Sequence, residues 1–374
     1  MNKYLTILLL QLSVFSSSAE HLRIVFAGDI MGHSPQISAA KTDSGYDYNP
    51  CYTYIKPYID SADFAVANFE ITLAGEPYTG YPQFSSPDEA LAAPVNAGFD
   101  FFLLANNHIA DRSTSGLKKT VQKMQSKTLF AGAYIDSIQR DSIYPAIVKI
   151  NVVKTSHTLS LHDSEQIYGC TSLFKIALLN YTYGTNGIVL PKPSIINYID
   201  TIQIKIDIQK IKNQYDMLIC CVHWGTEYQN HSNKEQEKLA QFLTDNGVDL
   251  IIGSHPHVVQ NFDVLYRNGD TNLPVPVYYS LGNMISNQRD RYKNGGILAV
   301  VDINPKSKKI TNCDYLPFYV HKGLLFNKYH YYLLPTTDFS DNQQFYNLKE
   351  DEYTALELFD SDTKSTLKNL PMQF

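Results

Sequence analysis

Two histidines that follow an apolar run constrain the fold of this 374-residue chain most strongly. Residues 248–252 have the length and composition of a buried strand, and Gly253 and Ser254 lead from it directly to His255 and His257. In open α/β sheets, ligands bind beyond the carboxyl ends of the strands. The sequence therefore predicts a sheet that carries ligand-competent side chains along one edge.

Four other apolar runs end in the same way. Asp29 follows residues 24–28, Asn68 and Glu70 follow residues 64–67, Asn106, Asn107 and His108 follow residues 101–105, and His223 follows residues 217–222. A single histidine after a strand is more often a hydrogen-bonded structural residue, and Asn and Asp there are ordinary turn formers. Turn chemistry does not account for the combination at all five strand ends. This combination is the one that a two-metal hydrolase requires, because hard oxygens bridge the cations and imidazoles complete their coordination.

The strand ends belong to six short motifs. They are Gly28-Asp29-Ile30-Met31, Asn68-Phe69-Glu70, Ala105-Asn106-Asn107-His108-Ile109-Ala110-Asp111, His223-Trp224-Gly225-Thr226-Glu227-Tyr228, Gly253-Ser254-His255-Pro256-His257-Val258-Val259-Gln260 and Tyr279-Ser280-Leu281-Gly282-Asn283. This ordered set resembles the CapA-type family of poly-γ-glutamate capsule biosynthesis proteins, whose fold is that of the calcineurin-like metallophosphoesterases. The resemblance covers about residues 22–304. It implies an α/β fold, a layered metallophosphoesterase-like sandwich of mixed β-sheets flanked by helices.

The resemblance also implies a site for two divalent metal ions, which would be Mn, Fe or Zn. The residues that match the family's metal ligands are Asp29 and His257 for the first ion, Asn107, His223 and His255 for the second, and Glu70 as the bridging carboxylate. Simple phosphoesterases use Asp at the bridging position. A second departure lies after Asp29, where the phosphoesterase pattern Asp-x-His is replaced by Ile30-Met31. His33 is the candidate substitute, and without it a mononuclear or metal-poor site is the alternative.

Further residues are expected to act on the substrate. His108 matches the neighbouring catalytic histidine of the family, and Asp111, three residues on, is its expected orienting partner. Asn283, Tyr228 and Gln260 are candidate substrate-binding residues, with ordinary hydrogen bonding within loops as the alternative.

The pattern between the motifs predicts alternating strands and helices. Helices are expected at residues 87–97, 113–125 and 233–245, and later strands at residues 262–266, 275–279, 296–303 and 315–320. We expect residues 1–19 to be a signal peptide, residues 22–325 to be the CapA-type metallophosphoesterase-like domain, and residues 326–374 to be a C-terminal extension of short helices packed on the domain. Residues 156–166, with His157 and His162, are interpreted as an exposed insertion because they follow no strand end.

The N-terminus indicates export. Lys3 precedes a mostly apolar stretch at residues 4–15, which is too short to span a bilayer, and Ser17-Ser18-Ala19 offers small residues for cleavage. An uncleaved anchor is the alternative. No later stretch has the length of a transmembrane helix, so we expect a periplasmic or extracellular protein without a transmembrane segment in the mature chain.

Charge and cysteine content exclude other classes of protein. A net charge of −6 argues against a nucleic-acid partner, since that binding needs a basic surface. Cys220 and Cys221 are neighbours in a predicted strand and face opposite sides of the sheet, so they are expected to pack and not to pair. Cys51, Cys170 and Cys313 allow at most one disulfide.

Three functions are compatible with these residues. The first is an exported, metal-dependent phosphoesterase-like hydrolase that acts on a phosphoester or an anionic envelope polymer, as part of a capsule or envelope biosynthesis complex. The second is a non-catalytic factor for polymer assembly or export, in which cations bridge polymer carboxylates. The third is a γ-glutamyl amide hydrolase that uses the same metals. The neighbouring Asn107 and His108 favour catalysis, because a cation platform needs no proton donor.

Overall fold

The computed structural model describes residues 21–152, 172–325, 328–337 and 348–374. The strands are β1 (Leu22–Ile30), β2 (Lys41–Thr42), β3 (Gly45–Tyr46), β4 (Phe64–Phe69), β5 (Phe101–Leu103), β6 (Leu129–Ala131), β7 (Ala133–Tyr134), β8 (Ala146–Val152), β9 (Ser172–Thr182), β10 (Ile195–Ile196), β11 (Met217–His223), β12 (Leu250–Ser254), β13 (Phe262–Tyr266), β14 (Pro274–Tyr278), β15 (Asn283–Ile285), β16 (Gly295–Asn304), β17 (Lys309–Leu325), β18 (Lys328–Pro335) and β19 (Met372–Gln373). The α-helices are α1 (Ser34–Ala40), α2 (Lys56–Asp60), α3 (Glu89–Ala97), α4 (Ser113–Lys127), α5 (Ser137–Ile143), α6 (Thr201–Lys210), α7 (Lys234–Asp245) and α8 (Glu350–Thr366). Short 3-10 helices lie at Asn49–Tyr52 and Arg267–Gly269.

Two large mixed sheets form the body of the protein. The first has nine strands, with the path β18-β17-β16-β1-β4-β5-β6, while β15 pairs with β1 and β19 with β17. Its strands β1, β4, β5 and β6 are parallel, and β16, β17 and β18 continue it in antiparallel fashion. The second has six strands in the order β13-β14-β12-β11-β9-β8, of which β9, β11, β12 and β14 are parallel.

The two sheets pack on each other around one hydrophobic core. β1 contacts β12, and β6 contacts β9, so the parallel parts of the sheets face each other. Their strands are nearly continuous apolar runs, as expected for parallel strands that are buried on both faces. Helix α4 covers β6 and β7, and α7 covers β13. The predicted layered sandwich of mixed sheets flanked by helices is confirmed.

The predicted helices and strands lie where the sequence placed them, with small differences at their ends. The three expected helices correspond to α3, α4 and α7. Helix α7 begins after Asn233, whose side chain accepts hydrogen bonds from the amides of Glu235 and Gln236. It ends before Gly247, whose φ of 99° suits glycine. The predicted strand at residues 315–320 is the central part of a much longer strand, β17.

The chain after residue 325 differs from the expected tail of short helices. β18 pairs with β17 along its whole length and so adds a strand to the large sheet. Four consecutive residues of β18 are buried, namely Tyr331, Tyr332, Leu333 and Leu334. Aromatic and aliphatic side chains of this kind favour a strand, since they pack well on the surface of a sheet. One helix of 17 residues, α8, then packs on β17.

The cysteines that the structure describes are all reduced. Cys51, Cys220, Cys221 and Cys313 are free and buried. The expectation that Cys220 and Cys221 pack without pairing is therefore confirmed. Cys170, the predicted signal peptide at residues 1–19 and the predicted insertion at residues 156–166 lie outside the described residues. Within the described ranges, none of the helices combines the length and the apolar character needed to cross a bilayer.

Glycines allow the strands to approach closely at the edge that carries the polar side chains. A Cβ atom on Gly28 would lie 1.9 Å from the carbonyl oxygen of Gly282. A Cβ atom on Gly253 would lie 1.9 Å from the carbonyl oxygen of Tyr279 and 2.5 Å from Nε1 of Trp224. Only glycine fits these positions, which bring β1, β12 and the segment before β15 together.

Candidate metal centre

Asp29 lies at the centre of the edge and is flanked by two asparagines. It is the register partner of Asn68 on β4 and of Asn283 on β15, and all three side chains are buried. Register partners on neighbouring strands project to the same face of a sheet. Asn68 donates from Nδ2 to Oδ1 of Asp29 at 2.8 Å and to Oε2 of Glu70 at 3.2 Å. The sequence Asn68-Phe69-Glu70 thus places an amide and a carboxylate on one face, beside Asp29.

Glu70 is the group that the other side chains share. Its Oε1 lies 3.6 Å from Nε2 of His223 and 3.8 Å from Nε2 of His257. Among the described residues, two sets of three histidine and carboxylate side chains have ligand atoms within 4.8 Å of one another, and Glu70 belongs to both sets. They are Glu70 with His255 and His257, and Glu70 with Asp29 and His223.

His223 comes from the second sheet and joins the two halves of the site. Its Nε2 lies 2.8 Å from Oδ1 of Asn107, in the loop after β5. Its Nδ1 lies 3.0 Å from the hydroxyl of Ser254 on the neighbouring strand β12. The loop with Asn107 is held in place because Asn180 of β9 accepts a hydrogen bond from the amide of Ala105 at 2.8 Å. Both sheets therefore contribute to one site.

The loop after β12 directs two histidines toward Asp29. His255 and His257 have φ values of 102° and 58°, in a region of backbone conformation that residues other than glycine rarely adopt. The amide of His255 donates to Oδ2 of Asp29 at 3.3 Å. Nδ1 of His257 lies 3.0 Å from the same oxygen without forming a hydrogen bond to it. Such backbone strain persists only where surrounding contacts hold it, and it is frequent at functional sites.

Burial gives the site an unusual protonation pattern. Burial, and after it the charge of Asp29, raises the pKa of the Glu70 carboxyl well above its ordinary value. Burial and the neighbouring His255 lower the pKa of His223 well below its ordinary value. Burial and His257 lower the pKa of His255 to about 3. Histidines that stay neutral keep a lone pair for a cation, which is the form that ligates metals.

The residues of this site fit divalent metal ions. Four of their buried atoms have no hydrogen-bond partner, namely Oδ1 of Asn68, Oε1 of Glu70 and Nδ1 of His255 and of His257. A buried polar atom without a partner costs free energy, and a bound cation would satisfy the free atoms of Glu70, His255 and His257. Among the described residues, no Lys or Arg side chain forms an ion pair with Asp29 or Glu70. The mixed set of carboxylate, amide and imidazole donors suits a transition metal.

His108 and Asp111 form a pair beside this cluster. Nδ1 of His108 lies 2.8 Å from Oδ2 of Asp111, and both residues are buried. The same carboxylate oxygen accepts a hydrogen bond from the amide of Phe84 at 2.7 Å, and the Phe84 ring packs edge-on against His108 at 4.6 Å. The predicted orienting contact is present, and the orientation of the imidazole is fixed from two sides.

His33 is not brought into the metal-ligating set. Its Nδ1 lies 3.1 Å from Oε1 of Gln36 and accepts from the amide of Asn287 at 3.3 Å, while its ring packs against Phe84. Helix α1 begins directly after His33, so the imidazole takes part in the capping box at the N-terminus of that helix. Met31, where the phosphoesterase pattern has histidine, is buried in the core.

The three candidate substrate-binding residues lie in different surroundings. Gln260 is buried, and its side chain donates to the carbonyls of Gln229 and His231 and accepts from Gln236, so it holds a loop in position. Asn283 is buried and donates to the carbonyl of His257. Tyr228 is 45 % exposed, and its ring lies 6.1 Å from that of His257.

Asn68 and Tyr183 are residues of the site to which no role was assigned from the sequence. Asn68 lies two positions before Glu70, and the alternation of side chains along a strand could have placed it beside Glu70. Tyr183 follows β9 and stacks on His223, with ring centroids 6.3 Å apart and an interplanar angle of 11°. The apolar run at residues 176–179 is the signal that could have indicated the strand before it.

The six motifs of this edge all fall within the region that matches a known family. Residues 23–288 match the family model described as bacterial capsule synthesis protein PGA_cap. The chain belongs to this family. The match confirms the resemblance that the six motifs indicated.

Two curated proteins are similar to this member of the PGA_cap family. The capsule biosynthesis protein CapA of Bacillus anthracis is 27% identical over 318 residues, which cover 81% of this chain and 69% of that protein. The PGA biosynthesis protein CapA of Bacillus subtilis (strain 168) is 26% identical over 283 residues, which cover 72% of this chain and 65% of that protein. Among solved structures, a 5'-nucleotidase precursor from Thermus thermophilus is similar with a TM-score of 0.44 and 11% identity, over 92% of this chain and 59% of that one.

Proposed function

We propose that this protein is an exported, metal-dependent hydrolase that cleaves a phosphoester during synthesis of a capsule or envelope polymer. The observation that supports this most is the position of Glu70, which belongs to both potential metal-ligating sets. A carboxylate shared by two sets is the arrangement that a two-metal site needs. Two further observations support it: Oε1 of Glu70 has no hydrogen-bond partner, and no Lys or Arg among the described residues pairs with this carboxylate.

The ions would be held by six side chains from both sheets, namely Asp29, Glu70, Asn107, His223, His255 and His257. When bound, divalent cations of the Mn, Fe or Zn type supply Lewis acidity toward a phosphoryl oxygen and toward the attacking water. Asn68 holds Asp29 and Glu70 in place through its amide, and Ser254 fixes the ring of His223. Such supporting contacts orient ligands and are important for affinity.

His108 acts on the leaving group. Because Nδ1 faces Asp111, Nε2 is the nitrogen that can hold a proton and donate it to the departing oxygen. Asp111 fixes the orientation of the ring. Phe84 excludes water from one side of the pair by packing against the imidazole.

The His108–Asp111 pair favours hydrolysis over a non-catalytic role in polymer assembly or export. A platform on which cations bridge polymer carboxylates needs no buried proton donor with its own orienting carboxylate. A γ-glutamyl amide hydrolase would use the same groups, so substrates must separate it from a phosphoesterase. Export to the periplasm or the extracellular space and participation in an envelope biosynthesis complex are part of the proposal.

A substrate panel tests the proposed function. Protein without residues 1–19, purified and supplied with Mn²⁺, is assayed on a phosphomonoester, a phosphodiester and an oligo-γ-glutamate peptide. We expect turnover of a phosphoester that a chelator abolishes and added Mn²⁺ restores. Cleavage of the γ-glutamyl peptide alone would favour the amide hydrolase, and binding of metal without turnover of any of the three would favour the non-catalytic factor.

A further inference from the structure

Three exposed tyrosines lie near the candidate site, and we call the surface beside them the entrance of the site. Tyr81, Tyr183 and Tyr228 are 73 %, 46 % and 45 % exposed, and we call them the tyrosine collar. This chain contains 27 tyrosines, so exposed tyrosines alone are unremarkable. The collar differs from exposed Tyr266 because the rings of Tyr183 and Tyr228 lie next to histidines of the site, and the ring of Tyr81 contacts Phe84, which packs against His108.

Tyr183 makes the most extensive of these contacts. Its ring is nearly parallel to that of His223, and its centroid lies 4.5 Å from that of His255. Two proposed metal ligands therefore support this ring, while almost half of the side chain stays open to solvent. A flat aromatic surface directly beside the reacting centre is suited to pack against the group attached to the scissile bond.

Tyr228 is held rigidly beside His257. Its φ is 67°, and its amide donates to the carbonyl of Pro256, which ties it to the loop with the two histidines. Its hydroxyl accepts from Gln288 at 3.3 Å, and the ammonium of Lys293 lies 4.2 Å from the ring centroid. The backbone of Tyr228 is strained, and three separate contacts restrain the residue. Its ring is therefore preorganised for contact with a ligand.

Tyr81 completes the collar on the side of the general acid. Its ring packs edge-on against Phe84, with centroids 6.5 Å apart, and Phe84 in turn contacts His108. The group that leaves with the proton of His108 would therefore pass along Tyr81.

The charges at the entrance do not favour an anionic chain. Glu227 precedes Tyr228, and burial followed by the charge of Glu227 raises the pKa of Tyr183 to about 12. Among the described residues Glu227 has no ion-pair partner, whereas Lys293 is paired with Asp290 at 2.5 Å. An unpaired carboxylate repels other carboxylates and accepts hydrogen bonds from hydroxyl groups.

Lys322 and Arg289 have partners outside the collar. Lys322 donates to Oδ1 of Asn287, and Arg289 donates to the carbonyl of Val320 and the hydroxyl of Tyr319. Neither of them contacts the collar through these bonds. The entrance thus combines aromatic surfaces with a hydroxyl-accepting carboxylate.

We propose that the tyrosine collar and Glu227 form a subsite for a neutral, hydroxyl-rich sugar ring, attached to the phosphoester that the site cleaves. The C–H faces of the ring pack on Tyr183, and its hydroxyls donate to Glu227. This proposal rests on the proposed hydrolase function for the position of the scissile bond, but the binding of the sugar itself does not depend on turnover.

Binding measurements test the subsite separately from catalysis. Metal-loaded protein without residues 1–19 is titrated with triacetylchitotriose and with tri-γ-glutamate, and binding is followed by saturation-transfer NMR. We expect the neutral sugar to bind more tightly than the peptide, and Tyr183→Ala to weaken the sugar about tenfold or more. Tyr266→Ala, which removes a similarly exposed tyrosine elsewhere, should leave binding unchanged.

Several outcomes would overturn the subsite. Tighter binding of tri-γ-glutamate than of the sugar would do so, as would equal effects of Tyr183→Ala and Tyr266→Ala. Tyr183→Phe should retain most of the sugar binding, and unchanged metal content of Tyr183→Ala should confirm that the metal centre is intact. Sugar binding without hydrolysis of any phosphoester would contradict the proposed function and leave the subsite standing, whereas hydrolysis without sugar binding would do the reverse.

Discussion

Replacement of Glu70 by glutamine is expected to remove bound metal and to lower kcat/KM on a phosphoester by about three orders of magnitude or more, which corresponds to a loss of several kcal/mol of charge stabilisation. Glu70 belongs to both metal-ligating sets, and its Oε1 has no hydrogen-bond partner of its own. Glutamine keeps the shape of the side chain but removes the charge that would bridge the cations. Metal content and steady-state kinetics measure the effect.

Thermal unfolding shows whether the Glu70 variant is folded. A ligand at 100 times its dissociation constant stabilises the folded protein by about 2.7 kcal/mol, so Mn²⁺ should raise the melting temperature of the wild type and not that of Glu70→Gln. Without metal, the variant should be at least as stable as the wild type, because a buried carboxyl with a raised pKa is removed. Glu235→Gln on the exposed surface of α7 is the matched control. A variant that keeps its metal and its activity would show that Glu70 is no bridging ligand.

His108→Ala is expected to lower kcat by about two to four orders of magnitude on substrates with poor leaving groups, while metal content stays the same. His108 contacts Asp111 and Phe84 and belongs to neither metal-ligating set. The loss should shrink for a nitrophenyl ester, because that leaving group needs little protonation. Comparison of the two substrate classes in one variant measures the general-acid contribution.

His231→Ala serves as the control for His108→Ala, since this histidine is exposed and belongs to neither metal-ligating set. Loss of metal from His108→Ala would identify His108 as a ligand. An equal loss of activity on both substrate classes would mean that the residue positions the site without donating a proton.

The layers of the fold could be predicted because the sequence pattern of the strands is unusually clear. Runs such as residues 217–222 and 248–252 are apolar without interruption, which is the pattern of parallel strands buried on both faces. The helices were equally clear where caps are present, as at Asn233. β18 was missed because its aromatic residues resemble a surface cluster until they are seen to pair with β17.

The candidate site was only partly predictable. Strand-end positions of Asp29, Glu70 and His223 follow from local pattern, since the carboxyl ends of parallel strands meet at one edge. The position of Tyr183 depends on β9, whose apolar run was not interpreted as a strand. The separation of His33 from the metal-ligating set has one local cause, the contact with Gln36 three residues on, and one tertiary cause, the contact with Asn287, which sequence spacing does not encode.

Elemental analysis of the natively purified protein tests the central claim most directly. We predict Mn, Fe or Zn at up to two ions per chain, because an imidazole-rich mixed set of ligands favours transition metals over calcium. The same measurement on Glu70→Gln should find these metals lost. Protein that contains calcium alone, or that binds no transition metal even when Mn²⁺, Fe²⁺ and Zn²⁺ are supplied, would contradict the assignment of this edge as a metal centre.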